Sequence, residues 1–123
     1  MLLLPRSTKI YMGRAPVNMS KSFNGLTNEV REVLRKDPLS GHIFLFFNRR
    51  RTMVKLILWT RGGFTIVAKR LERGTFSLPK TGDGAAHCVE LDIHELAFLL
   101  EGVSLERRRL SPRWEPSQHR RAV

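Results

Sequence analysis

The chain has 123 residues, of which 41% are hydrophobic and 27% are charged. This composition is typical of one soluble globular domain and excludes a collagenous, disordered or membrane-spanning chain. The charge is unusual, because 22 lysines and arginines against 11 acidic residues give a net charge of +11. Such a chain attracts polyanions, and nucleic acid is the commonest polyanion of the cytoplasm.

The cysteine count and the apolar runs bear on the compartment. Cys88 is the single cysteine, so no disulfide can form within the chain, and a reducing compartment is expected. The apolar run at residues 2–4 is far shorter than the about 7 to 15 apolar residues of a signal peptide or the roughly 20 of a membrane span. No segment pairs a long apolar face with a basic face. We therefore expect a cytoplasmic protein without a membrane partner.

The first two predicted elements are a strand and a helix. Residues 9–12 are expected to form a short strand. After a loop, apolar residues recur at intervals of three and four, which is the period of one helix face. Asn18 or Ser20 is placed to cap the start of this helix, and Asp37 before Pro38 ends it. The face expected to pack on a sheet comprises Met19, Phe23, Leu26, Val30, Val33 and Leu34.

Three strands are predicted in the middle of the chain. The runs at residues 43–47, 53–59 and 64–71 are strand-like in length and composition. Gly62 and Gly63 form the hairpin turn between the last two runs. Because the connections are short, these strands are expected to pair as an antiparallel meander.

The remaining predicted elements are an edge strand at residues 75–78, a strand at residues 88–91 and a second helix. Asp92, followed three residues later by Glu95, resembles a capping box that opens the helix, and Gly102 ends it. The residues expected to face inward are Ile93, Leu96, Leu99 and Leu100.

Together these elements predict an α+β protein. It has a single domain at residues 1–105, in which an antiparallel β meander is packed by two amphipathic helices. Residues 106–123 contain six arginines against two glutamates and show no apolar periodicity. We expect this segment to be a flexible, arginine-rich tail.

Basic residues cluster near the predicted strand ends. Arginine can grip a phosphate with two hydrogen bonds, and Trp59, which shares a strand face with Lys55, could stack on an unpaired base. The alternative is a solvated hairpin tip with Trp59 in the core, and the tail can equally be a solvated segment or contact an acidic protein. The predicted nucleic-acid-binding residues are Arg49, Arg50, Arg51, Lys55, Lys69, Arg70, Arg73, Arg107, Arg108 and Arg109.

The inventory for catalysis is small. Glu90 and Asp92 could bind a divalent ion together with Glu72 or Asp83, although Asp92 is better explained as a helix cap. The four histidines lack the spacing of metal ligands, and a lone cysteine in an apolar strand is usually inert. We therefore expect a protein that is not an enzyme and that needs no cofactor or metal.

Several ordered motifs carry a resemblance to a known family. They are NMSKSFNGL at residues 18–26, DPLSGHIFLF at 37–46, NRRR at 48–51, KRLERGTF at 69–76 and LLEGV at 99–103. Over residues 4–105 the chain resembles the TnpB-type accessory protein of a bacterial insertion-sequence family. That protein is the product of the second open reading frame in the family numbered sixty-six.

The resemblance implies an accessory factor of DNA transposition, encoded beside a separate transposase that carries the strand-transfer chemistry. The leading hypothesis is a non-catalytic protein that binds DNA, at the element ends, through a basic surface and has the transposase as its partner. One alternative is an adaptor that docks the transposase with only incidental DNA contact. A second alternative is a metal-dependent nuclease.

Overall fold

The computed structural model describes residues 7–79 and 87–102, which form one sheet and two helices. In chain order the elements are β1 (Ile10–Gly13), α1 (Phe23–Glu32), β2 (Ile43–Phe47), β3 (Met53–Thr60), β4 (Gly63–Arg70), β5 (Cys88–Leu91) and α2 (Ile93–Glu101). The α+β class is confirmed, and β2 and β5 have the bounds that the sequence predicts.

The sheet is mixed and has the strand order β4-β3-β2-β1-β5. β2, β3 and β4 pair antiparallel, which confirms the predicted meander. β5 is antiparallel to β1, but β1 is parallel to β2, with Ile10 opposite Ile43. The prediction of a purely antiparallel sheet is therefore wrong at this pair. The reason is α1, which carries the chain from the end of β1 back to the start of β2, as parallel neighbours require.

Each face of the sheet is covered by one helix. On one face, Leu96 and Leu99 of α2 pack with Met12 of β1 and Leu45 of β2. The cluster on the other face comprises Leu26, Val30 and Leu34 of α1 with Phe44, Phe46 and Ile57 of the sheet. Because β2 lies between both helical layers, all of its residues are buried, and its sequence is a continuous apolar run rather than an alternating one.

Both ends of α2 agree with the sequence prediction. Asp92 Oδ1 accepts a hydrogen bond from the Glu95 N–H at 2.7 Å, and Glu95 Oε1 accepts one from the Asp92 N–H at 2.9 Å. These two bonds complete the capping box. Gly102 ends the helix in the left-handed region, with a φ of 72°. Ile93, which is expected to face inward, is 57% exposed, so the buried stripe of α2 begins at Leu96.

The first helix is shorter than the sequence predicts and spans Phe23–Glu32. Neither Asn18 nor Ser20 caps it, because the Asn18 Oδ1 accepts a hydrogen bond from the Ser20 N–H at 2.8 Å within the preceding turn. Phe23 and Val33, at the two ends of the helix, are exposed. The buried residues of the predicted apolar face are Leu26, Val30 and Leu34.

The segment that follows β4 contains no strand within residues 71–79, so the predicted edge strand at 75–78 is wrong. The Phe76 ring is buried, and its N–H donates a hydrogen bond to the Arg51 carbonyl at 2.7 Å. An anchored side chain, rather than pairing along the sheet, therefore holds this segment in place.

Two expectations concern the ends of the chain and the membrane. The predicted domain limit at residue 105 and the predicted tail at residues 106–123 lie outside the described residues. In the part of the chain that the structure describes, no helix combines the length and the apolar character needed to cross a bilayer.

Candidate nucleic-acid interface

The turn between β2 and β3 is held by one side chain. Asn48 Oδ1 accepts hydrogen bonds from the N–H groups of Thr52 and Met53 at 2.9 and 3.0 Å. Asn48 Nδ2 donates to Thr52 Oγ1 at 3.0 Å. The backbone closes the same turn, since the Arg51 N–H donates to the Asn48 carbonyl at 3.0 Å. The residues between Asn48 and Thr52 are therefore fixed at both ends.

This turn presents Arg49, Arg50 and Arg51 to solvent. Arg51 has a φ of 58°, in the left-handed region that tight hairpin connections use. Within the described residues, none of the three guanidinium groups forms an ion pair or a side-chain hydrogen bond. Each guanidinium therefore keeps its five N–H donors for an external acceptor such as a phosphate.

The segment that follows β4 brings two more arginines to the same end of the sheet. Arg70 lies opposite the first residue of β3 in the register. Beyond it, the N–H groups of Leu71 and Phe76 donate to backbone carbonyls of the β2–β3 turn at 2.8 and 2.7 Å. Arg73 lies between these two bonds and is exposed. We refer to these exposed arginines as the basic end, which comprises Arg49, Arg50, Arg51, Arg70 and Arg73.

Glu72 is an acidic residue that lies between Arg70 and Arg73 of the basic end. Glu72 Oε1 lies 3.3 Å from a terminal guanidinium nitrogen of Arg70, and both side chains are more than half exposed. Exposed ion pairs of this kind contribute about 0 to 1 kcal/mol, so Arg70 can exchange its carboxylate for a phosphate at little cost. Among the described residues, the five arginines of the basic end outnumber this carboxylate and give this end of the sheet an excess of positive charge.

Lys55 has a different role from the arginines. Its ammonium donates hydrogen bonds to the carbonyls of Met19 and Lys21 at 2.7 and 2.8 Å. The two bonds join β3 to the loop that leads into α1, and the side chain is partly buried. Because its donors are used within the fold, we leave Lys55 out of the proposed interface.

Lys69 also has a partner within the fold. It lies opposite Val54 in the register, which places it on the face of the sheet that α2 covers. Its ammonium donates a hydrogen bond to the Leu100 carbonyl in the last turn of α2. A cation at a helix C-terminus also interacts favourably with the helix dipole. Lys69 therefore connects β4 to α2 and is not counted in the basic end.

Trp59 lies far from the basic end. It is six residues along β3 from Met53, which corresponds to about 20 Å in an extended strand. Its half-buried ring makes an edge-to-face contact with Phe64, with ring centroids 5.0 Å apart. Trp59 is thus too distant to stack on a base next to the arginine turn.

The remaining predicted interface residues, Arg107, Arg108 and Arg109, lie outside the described residues, and their role stays a prediction. Of the carboxylates considered for a metal site, Asp83 lies outside the described residues, and the structure does not bring the other three together. Asp92 caps α2, and Glu72 and Glu90 lie at opposite edges of the sheet. Among the described residues, no three His, Cys, Asp or Glu side chains are grouped as metal ligands.

The Cys88 thiol lies in the short edge strand β5. Burial raises the pKa of Cys88 above its ordinary value, although the nearby charges of Lys36 and Arg14 lower it in part. The thiol therefore stays protonated at neutral pH, where only the thiolate would be a good nucleophile.

The chain is similar to known proteins over most of its length. The family described as IS66 Orf2-like protein matches residues 8–110. The chain belongs to the IS66 Orf2-like family. One relative, the uncharacterized protein y4jC of Sinorhizobium fredii, is 31% identical over 113 residues, which cover 92% of this chain and 94% of the relative. Another from the same organism, the uncharacterized protein y4hO, is 30% identical over 119 residues, or 96% and 98% of the two chains. No solved structure matches.

Membership in the IS66 Orf2-like family confirms the resemblance and associates the chain with an insertion sequence. Two of the motifs that carry the resemblance build the basic end. NRRR at residues 48–51 forms the β2–β3 turn, and KRLERGTF at residues 69–76 runs beside it. Asn48 was not identified from the sequence as the residue that fixes the β2–β3 turn. Asparagine is common in turns because its side chain bonds to nearby backbone groups, so the sequence did contain an indication of this role.

Proposed function

We propose that this IS66 Orf2-like protein is a non-catalytic accessory factor of DNA transposition. It binds DNA at the element ends through the basic end and assists a separate transposase. The observation that carries the proposal is the gathering of five exposed arginines from two distant chain segments at one end of the sheet. Membership in the IS66 Orf2-like family supports the process.

The arrangement suits phosphates better than base edges. Guanidinium groups match the geometry of a phosphate, and contacts to the phosphate backbone position a protein without reading sequence. The hydrogen bonds to the Asn48 side chain fix the backbone of the turn in the absence of DNA, so less conformational entropy is lost when DNA binds. The protein is therefore expected to bind duplex DNA with moderate affinity and strong salt dependence.

The test is a salt titration of DNA binding, measured by fluorescence anisotropy with a labelled duplex. Five phosphate contacts give a slope of log affinity against log salt of about −4.5, or a loss of about 500-fold between 50 and 200 mM salt. Replacing Arg49, Arg50 and Arg51 together by alanine leaves two contacts. The slope then falls to about −1.8, and the loss of affinity falls to about 12-fold over the same range.

The matched control is Arg61→Ala. Arg61 is an exposed arginine in the turn between β3 and β4, at the opposite end of β3. Its removal changes the net charge but not the basic end, so the slope is expected to stay near that of the unaltered protein. A flat salt dependence, or an unchanged affinity of the triple variant, would overturn the proposal.

The choice of DNA and the presence of the transposase test the remaining part. Affinity for element-end duplex, random duplex, single strands and RNA is compared with and without transposase. Tighter binding to element ends when transposase is present supports a role in transposition. Equal affinity for every nucleic acid under both conditions would leave only general polyanion binding and contradict that role.

A second candidate function is an adaptor that binds the transposase directly. It is favoured by the segment 87–102, which carries four acidic residues and no lysine or arginine. Within this segment Ile93 is 57% exposed on α2. An acidic surface with an exposed apolar side chain repels DNA and is suited to a protein partner.

The adaptor is tested by capture of the transposase from nuclease-treated lysate. A complex that survives the treatment and is weakened by Ile93→Ser supports direct docking through α2. Loss of the complex on nuclease treatment would show that DNA joins the two proteins, which favours the first candidate.

A further inference from the structure

A cavity of about 510 Å³ opens beside the basic end. It lies between the loop that follows β1 and the helix α1, with Gly13, Leu34 and Phe46 among its lining residues. The Val17 N–H of this loop donates to the Phe47 carbonyl at 2.9 Å, and Phe47 directly precedes the arginine turn. The cavity and the arginines therefore share one end of the sheet.

The position and size of the cavity are compatible with a ligand site. It lies at the carboxyl ends of β1 and β2, the two parallel strands. Ligands commonly bind outside the carboxyl ends of parallel strands, where the chain leaves the sheet for a helix. Its volume falls within the range of about 300 to 1,000 Å³ that small-molecule sites occupy.

One lining residue has an unmet hydrogen-bonding group. The Nε of Arg14 is buried and has no hydrogen-bond partner within the described residues. A guanidinium remains charged at all accessible pH values, and a buried donor without an acceptor calls for an explanation. An anionic ligand in the cavity would compensate the charge of this partly exposed guanidinium.

The other charged groups make Arg14 the unbalanced charge of the cavity. Lys21 Nζ lies 3.6 Å from Glu29 Oε1, so these two lining residues compensate each other. Much of the remaining wall is apolar and includes Val17 and Val33. A ligand that fits this lining has one anionic group and an apolar body.

We propose that the cavity binds a nucleotide, with its phosphate on Arg14 and its base against the apolar wall. The inference rests on the proposed function, because the adjoining basic end is what favours a phosphate over a carboxylate as the anion. The planar fork of a guanidinium also matches two phosphate oxygens. A free nucleotide and the terminal nucleotide of a DNA strand present the same chemistry.

The experiment follows binding of deoxyadenosine 5′-monophosphate by NMR, using the backbone amides and the Nε–H signal of Arg14. The expected result is a saturable shift of the Arg14 Nε–H and of the amides of residues 13–18. Deoxyadenosine, which lacks the phosphate, and inorganic phosphate, which lacks the base, are each expected to bind at least tenfold more weakly. Inorganic phosphate binding as tightly as the nucleotide would overturn the proposal.

Variants identify the residue responsible. Arg14→Gln is expected to weaken nucleotide binding at least tenfold, whereas Arg61→Gln, at the other end of β3, leaves it unchanged. Should Arg14→Gln unfold the chain, Val33→Trp provides the same test. Val33 is 47% exposed, so the larger ring fills the cavity from its rim without entering the core. Unchanged nucleotide binding in a folded variant of either kind would contradict the proposal.

Two strands distinguish the sources of the nucleotide. A single strand with a 5′-phosphate that binds at least tenfold more tightly than the same strand with a 5′-hydroxyl indicates a strand end. Equal binding of the two strands, with deoxyadenosine monophosphate still bound, indicates a free nucleotide. If duplex binding depends on salt but the nucleotide does not bind, the proposal of a nucleotide site in the cavity is refuted and that of DNA binding at the basic end is not. If the nucleotide binds but duplex binding does not depend on salt, DNA binding at the basic end is refuted and the nucleotide site is not.

Discussion

The two hairpin turns at opposite ends of β3 connect antiparallel strands in different ways. Between β3 and β4, Arg61 and Gly62 form a two-residue connection with φ values of 29° and 81°. Both positive angles fit the twist of a hairpin. Between β2 and β3, the connection is longer and depends on the side chain of Asn48. The first turn exposes one arginine and the second exposes three.

The two turns also differ in how much charge they carry. Strand pairing does not require three arginines, because the shorter turn joins its strands with one. Like charges side by side repel each other, and Arg51 in addition adopts a left-handed backbone that non-glycine residues disfavour. The hydrogen bonds that Asn48 accepts from Thr52 and Met53 stabilise the turn in spite of these two unfavourable effects. Under the proposed function, a bound phosphate backbone offsets the repulsion among the three arginines of the longer turn.

The largest expected effect is on the free energy of unfolding and comes from removing the side chain of Asn48. Asn48→Ala leaves the N–H groups of Thr52 and Met53 without their acceptor, which is expected to lower the free energy of unfolding by about 2 to 3 kcal/mol. Urea denaturation measures the change. Thr65→Val is the matched control at the other turn, since it removes one hydroxyl hydrogen bond to Thr60 and costs about 0.5 to 1 kcal/mol. Equal losses of unfolding free energy in the two variants would show that the two turns depend equally on a side-chain hydrogen bond.

The next effect separates Lys55 from the basic end. Lys55→Met removes the two bonds to the carbonyls of Met19 and Lys21 and is expected to destabilise the fold by about 2 kcal/mol. The salt slope of DNA binding should stay unchanged. Arg49→Met is expected to do the opposite, lowering the slope by about one with little change in stability. A lowered slope for Lys55→Met in folded protein would place this lysine in the interface.

A smaller effect concerns the acid of the basic end. Glu72→Gln removes the carboxylate beside Arg70 and is expected to raise DNA affinity about two- to threefold at low salt, with little change in stability because the pair is exposed. Anisotropy at 50 mM salt measures the gain. Glu90→Gln, on β5 at the other edge of the sheet, changes the net charge equally and is the control. An equal gain for both variants would indicate a net-charge effect only.

Local signals in the sequence account for most of the elements. The apolar run at residues 43–47 and the capping box of Asp92 and Glu95 depend on neighbours a few positions away, and both are found as predicted. The parallel pairing of β1 with β2 depends on residues more than 30 positions apart, such as Ile10 and Ile43. The periodicity of a segment indicates that it forms a strand, but it does not indicate which strand pairs with it.

In the candidate site, too, features that depend on nearby residues can be predicted from the sequence, and features that depend on distant residues cannot. A run of three arginines between two strand-like segments is sufficient to predict an exposed basic tip. The sequence also places Lys55 on the strand face of Ile57, and the register agrees. It contains no signal that the ammonium of Lys55 meets carbonyls 34 and 36 positions earlier. Whether a cation is free or bound within the fold is decided by tertiary contacts.

The smallest expected effect compares Arg51 and Arg61, the positive-φ arginines of the two hairpin turns. Glycine adopts these angles without the steric penalty of roughly 1 to 2 kcal/mol, but it adds unfolded-state entropy of roughly 0.5 to 1 kcal/mol. Arg51→Gly and Arg61→Gly are therefore each expected to stabilise the fold by about 0.5 kcal/mol in urea denaturation. Only Arg51→Gly should lower the salt slope of DNA binding, by about one. If both variants lower it equally, the two turns contribute alike, and charge concentrated at one end of β3 no longer explains binding.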